Sequence, residues 1–289
     1  MKIRAPAKIN LTLRVVGKRA DGYHLLDTVM VPVSLYDEIE IHPIRRSASG
    51  RSGPAALIAV RCNHPHVPLG RDNIAYRAAE LLMRKANIRR PVAIRIRKKI
   101  PVGAGLGGGS TDAAAVLVGL NRMWKLRLSV RQLERLALQL GADVPFFIRA
   151  KPARARGIGE KLRLLPKLRR RWLVLIYPGF PVATAWVFGN LPLKLTKVSV
   201  NTSIATLLES LDKLDSLLIN DLEQVTLRRY PEIVRAKSML SLAGAAGVMM
   251  SGSGSSVFGI FESKRLAEKA FRRLRHEEGF QAYLVHVLN

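Results

Sequence analysis

A dense run of glycines near the middle of the chain constrains its fold more than any other feature. Five of the seven residues 103–109 are glycine, and a strongly helix-forming stretch follows after Ser110, Thr111 and Asp112. Glycine lets the backbone adopt positive φ angles and approach a ligand, because it has no Cβ. A helix that begins after such a loop offers unpaired N–H groups and a positive dipole end to an anion. The pattern predicts a phosphate-binding loop and a helix over 112–124, with these three polar residues as candidate N-caps, rather than an ordinary glycine turn.

Three familiar phosphate-binding motifs do not fit this loop. Its Gly-x-Gly-x-x-Gly spacing matches the dinucleotide fingerprint, which needs an acidic residue about 20 positions on, at a strand end. The next acid after Asp112 is Glu134, which lies within a helical pattern. A Walker A loop needs a lysine where Ser110 follows Gly109. The His-Arg-Asp and Asp-Phe-Gly motifs of protein kinases are absent from the sequence. Backbone amides must therefore do most of the phosphate binding, with Lys98 and Lys99 as nearby charges.

Length and composition indicate a two-domain protein of the cytoplasm. A chain of 289 residues exceeds a typical single core, and we place the domain boundary between residues 152 and 153. No apolar run approaches the ~18 residues of a membrane span, and no apolar leader precedes the first strand pattern. The single cysteine, Cys62, rules out an internal disulfide and fits a reducing compartment. We expect no membrane partner, and a monomer or weak homodimer.

The net charge of +27 is the one property that favours a different class of protein. Such a charge is typical of nucleic-acid binders. The basic residues, however, are spread from Lys2 to Arg275 and alternate with apolar residues, as they do on solvated faces. A basic surface also raises the encounter rate with polyanionic substrates. We expect only weak, nonspecific binding of nucleic acid at low salt. If the protein is not an enzyme, a nucleic-acid-binding protein is the alternative function.

Hydrophobic periodicity predicts alternating strands and helices, a mixed α/β (α+β) pattern. Strands are predicted over 9–16, 28–33, 37–41, 92–100, 172–177, 247–250, 257–261 and 282–287, with a polar loop over 47–54. Helices are predicted from the residue after Asn73 to Met83 and over 112–124, 129–140, 203–211, 215–229, 231–239 and 264–277. The order of elements after residue 153 is typical of a ferredoxin-like domain.

The glycine loop and six other segments carry a family resemblance. Pro-x-Gly-x-Gly-Leu-Gly-Gly-Gly-Ser at 101–110 resembles the central motif of the GHMP kinases, which include galactose, homoserine, mevalonate and phosphomevalonate kinases. Segments 5–11, 19–24, 141–147, 155–160, 220–223 and 250–256 extend the resemblance over nearly the whole chain. It implies a ribosomal-protein-S5-like N-terminal domain, a ferredoxin-like C-terminal domain and an active site in the cleft between them. It also implies an ATP- and Mg²⁺-dependent small-molecule kinase.

The resemblance implies two catalytic residues, Asp143 and Lys8. Asp143 would either take the proton of the acceptor hydroxyl or orient that hydroxyl, and the sequence does not decide between the two roles. By frequency alone an N-cap or turn aspartate is the commoner case. Lys8 would pair with Asp143 and lower the cost of an alkoxide-like oxygen, although a lone strand lysine is usually a surface residue. Asn10 shares a strand face with Lys8 and would bind the acceptor or fix Asp143.

The acceptor and nucleotide contacts are likewise implied by the resemblance. Tyr23 and His24 follow a good turn pair and suit stacking on a base and bonding to its edge. The implied acceptor is a cytidine diphosphate-linked sugar alcohol, with Phe188 on the other face of the base or simply packed in the core. Gly252, Ser253 and Gly254 would face the acceptor's polar end or the transferred phosphate, a plain hairpin turn being the alternative.

The expected nucleotide contacts are Pro101, Val102, Gly103, Ala104, Gly105, Leu106, Gly107, Gly108, Gly109, Ser110, Thr111, Lys98 and Asn73. Ser110 and Thr111 are candidate contacts to Mg²⁺ or to a phosphate group. The sequence contains no cluster of His and Cys that would indicate a zinc site.

Overall fold

The computed structural model describes residues 1–44, 57–192 and 218–289. The strands in this part of the chain are β1 (Lys2–Lys18), β2 (His24–Pro43), β3 (Ile58–Cys62), β4 (Val92–Arg97), β5 (Ala153–Gly157), β6 (Lys161–Leu164), β7 (Trp172–Tyr177), β8 (Ile219–Asn220), β9 (Gly247–Met250), β10 (Val257–Phe261) and β11 (Gln281–His286). The helices are α1 (Ile74–Ala86), α2 (Gly108–Met123), α3 (Val130–Leu138), α4 (Val144–Arg149), α5 (Thr184–Gly189), α6 (Glu223–Arg229), α7 (Pro231–Leu242) and α8 (Lys264–Leu274). The expected mixed α/β class is confirmed.

The chain forms two compact units, each assembled from separate segments. The first unit comprises Met1–Ala7, Tyr36–Val102 and Gly108–Arg149, and the second comprises Lys8–Leu35, Gly103–Gly107 and Ala150–Asn289. The division at 152/153 is a sequence-based boundary and stays a prediction. No helix among the described residues is long and apolar enough to cross a membrane.

The first unit is built on the central strand β4. Residues 92–97 of β4 pair antiparallel with residues 38–43 of β2, and β3 pairs parallel with β4 on its other side. The inward positions carry buried branched side chains such as Ile39, Ile94 and Ile96. Helices α1, α2, α3 and α4 pack on one another beside this core, which places the start of α2 and the start of α4 in the same unit.

The second unit contains a four-stranded antiparallel sheet with the order β11-β7-β10-β9. Helices α7 and α8 pack on this sheet, and their buried residues, including Ile233 and Leu274, join a common apolar core. A strand–helix–strand–strand–helix–strand sequence with this strand order is the ferredoxin-like arrangement that the periodicity predicts. The same unit holds the pairs β2–β5, β5–β6 and β1–β8, the last of them parallel.

Several predicted elements differ from those in the structure. Strands predicted over 28–33 and 37–41 form the single strand β2, because its alternation of buried and half-buried residues continues through the gap. The helix predicted from 112 starts at Gly108, so Ser110, Thr111 and Asp112 lie inside α2 and are not its N-caps. The helix predicted over 215–229 starts at Glu223, since residues 219–220 pair with β1 instead. The loop over 47–54 and the helix over 203–211 lie outside the described residues.

Candidate active site

The glycine loop turns through three positive φ angles before α2 begins. Gly103, Gly105 and Gly107 have φ of 67°, 76° and 72°, a conformation that glycine adopts without steric cost. Gly108 and Gly109 have ordinary helical φ and form the first turn of α2, whose N–H groups have no partner within the helix. Ala104 and Leu106 are buried, while Pro101, Val102 and Ser110 are half-buried. The backbone therefore leads directly from a glycine turn into the start of a helix.

Within the second unit, the glycine loop is docked on a second glycine turn, residues 251–256. The Ser251 hydroxyl donates to the Gly105 carbonyl at 3.0 Å, and the Ser256 N–H donates to the Ala104 carbonyl at 3.2 Å. A Cβ at Gly105 would lie 2.0 Å from the Ser251 carbonyl oxygen. The backbone of the second turn therefore occupies the space that a side chain at residue 105 would need. Both glycine segments are recognisable in the sequence, but no pattern in it indicates that they touch.

Lys8 and Asn10 lie on one face of β1 beside this second turn. Lys8 is only 4% exposed, and its ammonium donates to the side-chain oxygen Oδ1 of Asn10 at 2.6 Å. The Asn10 amide donates to the Thr28 hydroxyl at 2.8 Å, and that hydroxyl donates to the Thr12 carbonyl. A Cβ at Gly252 would lie 3.2 Å from the Lys8 ammonium nitrogen. A buried hydrogen-bonded chain therefore fixes the ammonium next to Gly252.

Asp143 stands directly before α4, in the first unit. Residues 144–147 behind it are buried, and Asp143 itself is half-buried. Across residues 1–44, 57–192 and 218–289, no hydrogen bond or ion pair to its carboxylate is found, so it does not cap α4. The carboxylate is thus available for chemistry, and its pairing with Lys8 stays a prediction.

Lys98 lies in a buried cluster with two aspartates, all within the first unit. Its ammonium donates to Asp37 and, at 2.9 Å, to Asp112 in the first turns of α2. The other Asp37 oxygen accepts the N–H groups of Lys99 and Ile100, which explains why β4 ends at Arg97 rather than at residue 100. The cluster is not predictable from the sequence, because no local pattern links residues 37, 98 and 112. Contact of Lys98 with the nucleotide stays a prediction.

Burial and charge act against each other in this cluster. Burial raises the pKa of Asp112 well above its ordinary value of 3.8, and Asp37 adds to this, while Lys98 opposes it. Burial by itself lowers the pKa of Lys98, but the two carboxylates outweigh it, so the pKa is raised. One Asp112 oxygen is buried with no partner among the described residues. The cluster is therefore a buried lysine paired with Asp37 and Asp112, and burial disfavours the charged form of Asp112.

We expect Asp112→Asn to flatten the dependence of stability on pH. Because the pKa of Asp112 is raised on folding, the folded state holds a proton that the unfolded state releases, so stability falls as pH rises above about 3.8. The neutral amide removes this loss and leaves the Lys98–Asp37 pair intact. The free energy of unfolding at pH 8 should stay within about 1 kcal/mol of wild type or exceed it. Urea unfolding from pH 4 to 9 measures both quantities.

Asp37→Asn is the matched contrast to that variant. It removes the charge that pairs with Lys98 and turns an amide donor toward the ammonium, which should cost about 3–5 kcal/mol. Equal losses for both variants, or an unchanged pH dependence in Asp112→Asn, would contradict our description of the cluster.

The residues predicted to bind a base lie partly together. His24 and Phe188 stack with ring centroids 5.1 Å apart and planes at 26°, so no base fits between these two rings. Burial lowers the pKa of His24, and Lys18 lowers it further, which keeps the imidazole neutral at pH 7. Tyr23 is 60% exposed on the turn after Gly22. Tyr23 thus has an open ring face, whereas His24 and Phe188 support each other.

The remaining predicted residues have defined local roles. Asn73 is buried and caps α1, its carbonyl oxygen accepting the Ala75 N–H and its amide donating to the Pro68 carbonyl. The Ser253 hydroxyl bonds to the Thr184 hydroxyl at 2.8 Å. Contact of Asn73 with the nucleotide and of Ser253 with the acceptor stay predictions. No group of three or more His, Cys, Asp or Glu side chains that could hold a metal ion occurs in the described part of the chain.

Comparison with known proteins supplies the family context of this geometry. The family model of the GHMP kinases N terminal domain matches residues 73–151, and that of the GHMP kinases C terminal matches residues 200–279. A curated relative from Syntrophotalea carbinolica, named 4-diphosphocytidyl-2-C-methyl-D-erythritol kinase, is 47% identical over 99% of this chain and 98% of its own. A relative of the same name from Citrifermentans bemidjiense is 46% identical over 100% of this chain and 99% of its own.

Solved structures give the same fold. A crystal structure of 4-(cytidine 5'-diphospho)-2C-methyl-D-erythritol kinase superposes with a TM-score of 0.83 at 35% identity, covering 100% of both chains. The L. major mevalonate kinase in complex with R-mevalonate has a TM-score of 0.74 at 16% identity, over 99% of this chain and 95% of its own. The second likeness concerns the fold alone.

Proposed function

Because this chain belongs to the GHMP kinase family, we propose that it transfers the terminal phosphoryl group of ATP to the 2-hydroxyl of 4-diphosphocytidyl-2-C-methyl-D-erythritol. The products are the 2-phosphate and ADP, in isoprenoid precursor biosynthesis. The full-length likeness to curated relatives of that name supports the choice of acceptor. The observation that carries the proposal is the docking of the glycine loop on the second glycine turn, beside the buried ammonium of Lys8.

Phosphoryl transfer needs little covalent chemistry from a protein, and catalysis comes from holding two substrates in line and neutralising charge. The N–H groups at the start of α2 and in the loop before it would bind the phosphates of ATP. Mg²⁺ bound with the nucleotide supplies further charge neutralisation. Ser110 is half-buried, so its hydroxyl would contact this Mg²⁺ or the phosphates more readily than that of Thr111, which is only 1% exposed.

The acceptor hydroxyl must lose its proton as it attacks. Asp143 has a half-buried carboxylate that makes no hydrogen bond or ion pair within the described residues, and it would accept the proton or orient the hydroxyl. Lys8 carries a charge that its contact with Asn10 holds in one place, so no reorganisation is needed when negative charge develops on oxygen. These assignments give each of the two residues a separate role in one step.

The cytosine end of the acceptor would be bound on the aromatic surface of the second unit. Tyr23 supplies an exposed ring for stacking, and the neutral His24 supplies a hydrogen-bonding edge backed by Phe188. Gly252, Ser253 and Gly254 would contact the polar end of the acceptor. The arrangement fits an acceptor that carries a base, which mevalonate and homoserine lack.

Turnover with competing acceptors tests the proposed function. We expect ADP release with the cytidyl acceptor at a kcat/KM at least about 100-fold above that with mevalonate or homoserine, because a site built to bind a base leaves polar groups unpaired without it. Comparable turnover of mevalonate would contradict the choice of acceptor. Failure with every acceptor, together with tight RNA binding at physiological salt, would favour the nucleic-acid-binding alternative.

A further inference from the structure

Segment 220–226, which has no assigned role in the reaction, forms hydrogen bonds with the backbone of the second glycine turn and of Met250 before it. Asn220 stands at the end of β8, where it pairs in parallel with Leu13 of β1. Its side-chain amide donates to the Met250 carbonyl at 2.9 Å and to the Gly252 carbonyl at 2.8 Å. These carbonyls lie on either side of Ser251, the residue that docks on the glycine loop. We propose that Asn220 is a positioning residue that fixes the second glycine turn for binding of the acceptor.

The Asn220 side chain is fully used in this role. Both of its N–H groups donate, and its carbonyl oxygen accepts the Leu222 N–H at 3.0 Å. The residue is 7% exposed, so water cannot readily replace these partners. A side chain that only capped the following turn would need the carbonyl oxygen alone. The two donated bonds therefore point to a specific demand on the backbone of 250–252.

Two neighbours in the same segment brace the turn in the same way. The Glu223 carboxylate accepts the Met250 N–H at 2.7 Å and is held in turn by Lys237. The Thr226 hydroxyl approaches the Ser253 carbonyl at 3.4 Å. The intervening Asp221 accepts the Val15 N–H instead. Segment 220–226 thus contacts the backbone of Met250, Gly252 and Ser253.

The position of this turn matters because of what lies on its other side. Gly252 is next to the Lys8 ammonium, and Ser251 meets Gly105 of the glycine loop. A displacement of the 250–253 backbone would alter the surroundings of Lys8 and the predicted acceptor contacts together. The inference rests on the proposed function for its kinetic consequence, but its structural consequence can be measured without substrate.

Asn220→Asp provides the test, because it keeps the shape of the side chain while replacing two donors by a charged acceptor. We expect kcat/KM for the cytidyl acceptor to fall about 10- to 100-fold, with a raised KM for the acceptor and a KM for ATP within about 3-fold of wild type. Amide hydrogen exchange of residues 251–254 in the unliganded protein should speed up by at least about 10-fold. Asn220→Ala should give smaller changes in the same direction.

Leu274→Ala is the control for general destabilisation. Leu274 is buried in α8 of the same unit and lies outside the predicted site, so its truncation should reduce stability without removing a hydrogen bond to the turn. It should leave both KM values and the exchange of residues 251–254 unchanged.

If Asn220→Asp does not fold, Asn220→Ala serves in its place. Unchanged exchange at the turn, or unchanged acceptor KM in active protein, would overturn the inference. An inactive wild-type protein would instead contradict the proposed function and leave the exchange result standing.

Discussion

Replacing Asp143 by asparagine is expected to reduce kcat by roughly 10²–10⁴ while leaving nucleotide binding near that of wild type. The amide keeps the size of the side chain but cannot accept the proton of the acceptor hydroxyl. Asp143 makes no hydrogen bond or ion pair within the described residues, so the substitution removes no structural contact. Its effect should therefore fall on the chemical step, which single-turnover kinetics with saturating ATP and acceptor measures directly.

Glu134→Gln is the matched control for Asp143→Asn. Glu134 is an acidic residue of the same unit that pairs with Arg149 at the end of α4, and we assign it no role in the reaction. Its replacement removes the same amount of charge near the same helix and should leave kcat unchanged. Turnover by Asp143→Asn at the wild-type rate would remove Asp143 from the mechanism. A large rise in the Kd for ATP would show that the residue serves binding instead.

Local patterns predicted the secondary structure well wherever one element decides its own limits. The bounds of β7, β9 and β10 are as predicted, because each is a short apolar strand between clear turn residues. Ser129 caps α3 with a full capping box, in which its hydroxyl accepts the Gln132 N–H and the Gln132 side chain accepts the Ser129 N–H. Elements whose limits depend on distant partners were predicted less well. Strand β8 forms by pairing with β1, whereas the local sequence pattern predicts a helix over 215–229.

The candidate site shows the same division between local and distant information. The glycine loop, its positive φ angles and the shared face of Lys8 and Asn10 follow from residue type and spacing. The buried Lys98 cluster joins residues far apart in the sequence, and no periodicity marks it. The contact between the two glycine turns is likewise a tertiary contact, made through backbone atoms that every residue has. It could be inferred only once both turns were placed in one unit.

Gly105→Ala is the second substitution with a large expected effect. The added Cβ would lie 2.0 Å from the Ser251 carbonyl oxygen and 3.0 Å from the Gly254 carbonyl oxygen, and both are backbone atoms that cannot rotate aside. The glycine loop and the second turn must therefore separate by an ångström or more. A displacement of that size at groups that position substrate lowers kcat/KM by at least about 100-fold. We expect this loss for both ATP and the cytidyl acceptor, because the two turns carry the predicted contacts to each.

Gly279→Ala separates this collision from simple backbone strain. Gly279 has a φ of 79°, close to the 76° of Gly105, but a Cβ there would meet nothing within 4 Å. Both variants force alanine into the left-handed region at a cost of about 1–2 kcal/mol, which thermal unfolding should detect in each. Only Gly105→Ala pushes the two turns apart, so only it should lose activity at a temperature where both proteins are folded. Equal activity of the two variants would mean that the docked turns do not position the substrates.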